Sequence, residues 1–102
     1  MRQRPARQNI TPEEAEAVGI SALQYIAADP SLTSRFLAIS GLDVADLRRR
    51  ARDPGFLPGL LDFILAHEPT LVDFSAQSGH SPQRVVEART VLGGTYKAGN
   101  AS

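Results

Sequence analysis

The most apolar stretch of the 102-residue chain is Gly55-Phe56-Leu57-Pro58-Gly59-Leu60-Leu61-Asp62-Phe63-Ile64-Leu65-Ala66-His67-Glu68. Asp62 is the only polar residue between Leu60 and Ala66, so a helix here offers little surface to water and should be enclosed by its neighbours. At about a dozen residues the stretch is well short of the roughly 20 that cross a bilayer. We expect a central core helix in which Phe63 and Ile64 are buried and Asp62 faces water.

Composition indicates one small globular domain, with 42% apolar and 22% charged residues. The absence of cysteine excludes disulfides and thiolate metal sites, and it is compatible with a reducing cytosol. The basic N-terminus is not followed by an apolar segment, so it does not resemble a secretory signal. We expect a cytoplasmic protein that makes no use of a membrane.

Eleven Lys and Arg residues balance eleven Asp and Glu residues, which argues against strong non-specific binding of nucleic acid. Three of the positive charges, Arg2, Arg4 and Arg7, lie in the first nine residues. We expect residues 1–10 to form a disordered basic arm and residues 95–102 to form a disordered tail.

Capping and proline signals divide residues 11–94 into six helices without a strand. Thr11-Pro12-Glu13-Glu14 combines a hydroxyl N-cap, a first-turn proline and a glutamate for a capping box. Similar starts occur at residues 29–30, 68–69 and 81–82, and Gly41 and Gly79 are typical helix ends. The helices are predicted over residues 12–28, 30–39, 44–51, 57–67, 68–78 and 82–92, the last ending at Gly93-Gly94.

Apolar residues at helical spacing predict the buried faces of these helices. They are Ala15, Val18, Ala22 and Ile26 in the first helix, Leu32, Phe36 and Ile39 in the second, Val44, Leu47 and Ala51 in the third, Leu71, Val72 and Phe74 in the fifth, and Val85, Val86, Ala88, Val91 and Leu92 in the sixth.

The two halves of the chain resemble each other at an offset of 38 residues, with a one-residue shift near the proline. The run Phe36, Ala38, Ser40, Gly41, for example, corresponds to Phe74, Ala76, Ser78, Gly79. This predicts two similar three-helix units, 11–53 and 54–94, packed together across the first and fourth helices. The alternative is that any two amphipathic helical hairpins share such proline and glycine signals at their helix ends.

Four arginines, Arg48, Arg49, Arg50 and Arg52, form a candidate interaction surface on the third helix. Asp46 with Arg50 and Arg49 with Asp53 are pairs at i, i+4, so a locally compensated, solvated face explains most of the pattern. A site for phosphate or an acidic partner is the alternative.

Both helix-Gly-helix segments resemble helix-turn-helix motifs. In the first, Asp43 and Asp46 would face phosphates, which counts against it. In the second, side chains suited to phosphates and base edges are Ser81, Gln83, Arg84 and Arg89. Glycine between two helices is also the usual helix end, so a purely structural hairpin remains open.

Catalysis and metal binding have little support in the sequence. His67 and His80 are the only histidines, and no metal-binding motif accompanies them. Ser78, His80 and Asp73 could in principle form a nucleophile set, but no strained elbow or glycine-rich oxyanion loop is present. We expect no enzymatic activity, no metal and no cofactor.

A family resemblance is carried by Arg35-Phe36-Leu37-Ala38-Ile39-Ser40-Gly41-Leu42-Asp43, Ala45-Asp46-Leu47-Arg48, Asp53-Pro54-Gly55-Phe56-Leu57 and Leu61-Asp62-Phe63-Ile64-Leu65-Ala66. On these residues the chain resembles a family of short bacterial proteins known only as a domain of unknown function. The resemblance implies a compact all-helical protein and brings no activity, cofactor or functional residue.

By exclusion, the sequence favours an all-α protein of unknown biochemical role that binds another protein through its helical hairpins. The alternative is a DNA-binding regulator that uses residues 81–92 and the basic N-terminal arm.

Overall fold

Six α-helices make up the regular structure of residues 10–97, the part of the chain that the computed structural model describes, with side-chain detail to residue 93. They are α1 (Pro12–Ala27), α2 (Pro30–Ser40), α3 (Val44–Arg50), α4 (Phe56–Leu65), α5 (Glu68–Ser78) and α6 (Pro82–Lys97). No strand occurs within this range. The prediction of a six-helix all-α fold is confirmed.

Several helices begin or end on the predicted signals. The Thr11 hydroxyl accepts from the Glu14 amide at 3.0 Å, and the Glu14 carboxylate accepts from the Thr11 amide at 2.9 Å. Ser81 caps α6 in the same way by accepting from the Arg84 amide. Gly41 and Gly79 end α2 and α5 with φ of 79° and 85°, a left-handed conformation that glycine adopts without steric penalty.

The core forms where α4 packs against α1 and α6, which also pack against each other. The predicted central core helix is confirmed, since Leu60, Leu61 and Ile64 are completely buried and Phe63 nearly so. Gly19 of α1 allows the close approach of α4, because a Cβ at this position would lie 3.0 Å from the Cβ of Leu57. None of the helices in the described range is both long and apolar enough to cross a bilayer.

The outer helices bury less than their patterns predict. α2 and α5 anchor to the core through Phe36 and Phe74, but Val72 of α5 is 56% exposed. α3 buries none of its residues completely. Of its predicted inward face, Leu47 is half-buried against the core, as expected, but the prediction is wrong for Val44 and Ala51, which are exposed. Ile39, predicted to face inward from α2, is 71% exposed, because the short α3 does not cover it.

The predicted helix end at Gly93-Gly94 is wrong, since α6 continues to Lys97. The Arg89 guanidinium occupies the space beside Gly93, where an added Cβ would lie 1.7 Å from Arg89 Nη1. The glycine therefore makes room for a side chain from the preceding turn, and packing against α1 and α4 outweighs its helix propensity. Residues 95–97 of the predicted tail are helical, and residues 98–102 lie outside the described range.

Smaller differences affect the other boundaries. Ile10, assigned to the N-terminal arm, is buried in the core, whereas residues 1–9 of that arm lie outside the described range. α1 and α2 end within one residue of the prediction, and α4 begins one residue early, at Phe56. α4 ends at Leu65, so His67 is the N-cap residue of α5 rather than part of the last turn of α4.

The two-unit arrangement is not shown by this packing. α1 and α4 do pack on each other, as the repeat requires, but α6 enters the core whereas α3 stays at its edge. The duplication therefore remains a prediction from sequence.

Ile64→Ala should lower the free energy of unfolding by about 2 to 5 kcal/mol, because it removes a completely buried side chain from the core. Urea unfolding followed by circular dichroism measures this change. The matched control is Ile39→Ala at an exposed position, which should change the free energy by less than about 0.5 kcal/mol. Equal effects of the two substitutions would contradict the packing.

Candidate functional site

An open groove of 610 Å³ lies between α2 and α4 and extends to the end of α3. Its lining is mainly apolar and comes from all three helices and from the turns that join them. The lining residues are Arg35, Phe36, Ile39, Ser40, Leu42, Arg50, Asp53, Gly55, Phe56, Gly59, Asp62, Phe63, Ala66 and His67. We call this surface the α2–α4 groove.

The floor of the groove is aromatic. The Phe36 ring packs edge-on against Phe63 and Phe56, with centroid distances of 5.5 and 6.3 Å. Such edge-to-face pairs are favoured by the ring quadrupole, and all three rings are nearly buried. Ile39 also lines the groove. It is the most exposed of the large apolar side chains in the described range.

Charged side chains line the rim, and most of them are already paired. Arg50 lies 3.4 Å from the Asp53 carboxylate. The Arg35 guanidinium lies 5.6 Å from the centroid of the Phe63 ring, a cation–π distance. No carboxylate of residues 10–93 forms an ion pair with Arg35.

Asp62 is exposed, as predicted, but it also joins two helices. Its carboxylate accepts from Arg89 Nε at 2.6 Å and from Arg89 Nη2 at 3.0 Å. The side chains are 55% and 27% exposed, respectively. Sequence reasoning missed this pair because the two residues lie 27 positions apart. The bidentate contact fixes α4 against α6 at the edge of the groove.

The four arginines predicted as one surface are divided among different environments. Arg50 lines the groove, while Arg52 lines a separate 530 Å³ cleft beside the start of α1. Arg48 is exposed and belongs to neither. Arg49 pairs with Asp46, and Arg50 pairs with Asp53, both at i, i+3.

The predicted i, i+4 pairs of α3 are therefore wrong. Asp53 lies beyond the end of the helix, and Asp46 belongs to the N-terminal capping box, where it accepts from the Asp43 amide. That amide, followed by Arg49, lowers the pKa of Asp46.

The residues suggested for nucleic acid have different contacts and exposures in the structure. Ser81 caps its own helix, and Arg89 binds Asp62. Gln83 is exposed and Arg84 is half-buried at the start of α6.

A polar network joins α1 to α5. The Tyr25 hydroxyl donates to Asp73 at 2.6 Å, and the Gln77 amide donates to the same oxygen at 2.9 Å. Partial burial, followed by the hydrogen bond to Asp73 and its charge, raises the pKa of Tyr25 to about 12. The bonds from Tyr25 and Gln77 lower the pKa of Asp73.

The conceivable nucleophile set of Ser78, His80 and Asp73 is not assembled. His80 Nε2 lies 3.3 Å from the Ser21 hydroxyl, and the Ser78 hydroxyl accepts from the His80 backbone amide. Burial and then the charge of Arg84 lower the pKa of His80. His67 Nδ1 lies 2.7 Å from the Thr70 hydroxyl. Within residues 10–97, no three His, Asp or Glu side chains come together as a metal site would require.

The groove itself was missed from the sequence, because Ile39 fits the inward pattern of α2. One signal was available: Gly59 interrupts the most apolar helix at a position where neither a cap nor a turn needs glycine.

Comparison with protein families finds one match, to the family described as "Protein of unknown function (DUF3572)", over residues 12–95. Comparisons with curated proteins and with solved structures find no significant match. The resemblance predicted from the sequence is confirmed at the level of the family.

Asp62→Asn should lower the free energy of unfolding by about 0.5 to 1 kcal/mol, because the neutral amide loses the charge-assisted pair with Arg89 in a partly exposed setting. A double-mutant cycle with Arg89→Gln should give a coupling of similar size that decreases at high salt. Additive effects of the two substitutions would show that the pair contributes nothing.

Tyr25 should ionise near pH 12 rather than near its usual value of 10, and Asp73→Asn should move its pKa part of the way back. The near-ultraviolet absorbance of the phenolate, taken as the difference from Tyr25→Phe, measures this. Because the folded-state pKa is raised, the stabilisation is fully present below pH 10 and is lost as the pH rises through 12. A Tyr25 that titrates at 10 would contradict the network.

Proposed function

The chain belongs to the family described as "Protein of unknown function (DUF3572)", and we propose that it acts by binding another protein. The α2–α4 groove receives a helical segment of that partner, with apolar side chains on one face and acidic residues beside them.

The observation that carries this proposal is the exposure of Ile39 over an aromatic floor. A large apolar side chain left in water beside an apolar groove is typical of an interaction site. The 610 Å³ volume lies within the range of binding pockets, roughly 300 to 1,000 Å³. A docked segment would cover Ile39 and gain its burial energy.

A helix suits this groove better than a small polar ligand does. Two of the groove's walls are helices, and a partner helix can place its i, i+3, i+4 and i+7 side chains between such walls. Sites for small polar ligands instead need several converging polar groups that fix the orientation of the ligand. Of the polar side chains lining the groove, Arg50, Asp53, Asp62 and His67 already contact other side chains of the same chain.

The charge around the groove favours an acidic partner. Of the charged groups that line the groove, Arg50 and Asp53 pair with each other and Asp62 pairs with Arg89, whereas no carboxylate of residues 10–93 pairs with Arg35. The charge of Arg35 therefore favours acidic segments in the groove over basic ones.

The nucleic-acid alternative has no comparable support. Two of its four residues, Ser81 and Arg89, already make contacts within the chain. Helix α6 also contributes Val85 and Ala88 to the core, which leaves only part of its surface for a groove of DNA.

A peptide selected from a display library of amphipathic helices should bind the protein, and Ile39→Gln should weaken that binding by about tenfold or more, because burial of a large aliphatic side chain is worth about 1.5 to 3 kcal/mol. Fluorescence anisotropy of the synthetic peptide measures the affinity, and amide chemical shifts of the labelled protein locate the site.

The matched control is Val72→Gln, which removes an exposed apolar side chain from α5, outside the groove, and should leave the affinity unchanged. Shifts centred on another surface, or an equal loss in both variants, would contradict the proposal.

A further inference from the structure

We infer that Arg35 selects the partner by binding a carboxylate beside the apolar face of the docked helix, and that this helix crosses α4 at Gly59. The inference rests on the proposed function of the α2–α4 groove and specifies the chemistry that its occupant must carry.

The first argument is the charge that docking would bury. Arg35 lies over Phe63, part of the groove floor, so a helix seated there removes water from its guanidinium. An unpaired buried charge is strongly destabilising. Neither rim aspartate is free to compensate, because Asp53 pairs with Arg50 and Asp62 pairs with Arg89. The matching carboxylate must therefore come from the partner.

The geometry of Arg35 suits this role. Its Cζ atom lies over the Phe63 ring, 5.6 Å from the centroid, and a guanidinium in a cation–π contact still has N–H groups to donate. A carboxylate accepts from two such donors at once, which gives directional preference as well as attraction. A neutral amide at the same place would leave the charge uncompensated.

The second argument is Gly59, which lies inside α4 and lines the groove. Glycine inside a helix is destabilising relative to alanine. No left-handed backbone requires it, since φ is positive only at Gly41 and Gly79 among the described glycines. An added Cβ at Gly59 would meet nothing within 4 Å, so the rest of the chain does not require it either.

Two other helical glycines show what such a position does in this fold. At Gly19 the space is filled by Leu57, and at Gly93 it is filled by Arg89. Gly59 offers the same kind of space toward the groove, and nothing within the described chain fills it. Close approach of a partner's backbone accounts for a glycine here.

The first test uses one helix-forming peptide frame with a fixed apolar face and flanking positions that are all Glu, all Gln or all Lys. Anisotropy should show the Glu peptide binding about tenfold more tightly than the Gln peptide, as expected for a charge-assisted hydrogen bond, with the Lys peptide weakest. Arg35→Gln should abolish the difference between Glu and Gln peptides. Arg84→Gln, which removes the same charge outside the groove, should preserve it.

The second test separates folding from binding at Gly59. Gly59→Ala should raise the melting temperature, because alanine favours the helix and meets no clash. The same variant should bind the Glu peptide several-fold more weakly, since its methyl group occupies the crossing point. A variant that is more stable and binds equally well would overturn the crossing at Gly59.

The results also separate this inference from the proposed function. Equal binding of Glu, Gln and Lys peptides in the groove would overturn the role of Arg35 while leaving a protein-binding groove. Peptides that cause no shifts in the groove would overturn both proposals. A dimer in sedimentation whose interface is the groove, as located by amide chemical shifts, would also overturn both proposals. A second copy of the chain would then be the occupant.

Discussion

The fold depends on the enclosure of α4 between α1 and α6. Leu60, Leu61 and Ile64 have no access to water, and Gly19 lets the backbone of α1 approach α4 closely. Two helices can cover only part of the circumference of a third. Gly59, Asp62 and Phe63 of α4 line the α2–α4 groove and form one wall of it. The groove thus follows directly from the way the core is built.

The groove stays open because α3 does not pack into the core as α6 does. α6 contributes the completely buried Val85 and Ala88 to the core. On α3, Leu47 is half-buried against the core, whereas Arg48, Arg49 and Arg50 are exposed. A guanidinium cannot enter a core without losing its hydration. α3 therefore remains at the edge with no buried residue, and the side of α2 that it would have covered is left in contact with water.

Local signals made much of the fold predictable, and contacts between distant residues made the rest unpredictable. The Thr11 capping box and the Gly41 and Gly79 ends involve neighbours in sequence, and all three form as expected. Ile39 has the correct helical spacing for burial, but its exposure depends on where α3 packs. Gly93 resembles a helix end, yet its role is to accommodate Arg89, which reaches across to Asp62. The candidate site was missed for the same reason, because it consists of the surface that tertiary packing leaves uncovered.

The surface next to α5 is polar and already hydrogen-bonded, whereas the groove next to α2 is mainly apolar. This difference supports the proposal that a partner binds beside α2. Next to α5, Tyr25, Asp73 and Gln77 satisfy one another, and His80 contacts Ser21. A partner covering these groups would have to desolvate polar atoms that already have hydrogen bonds. The groove beside α2 offers the exposed Ile39 beside an aromatic floor, and Arg35 lies over the Phe63 ring of that floor. A partner docked there as we propose would remove apolar surface from water, and a single carboxylate would compensate the charge that becomes buried.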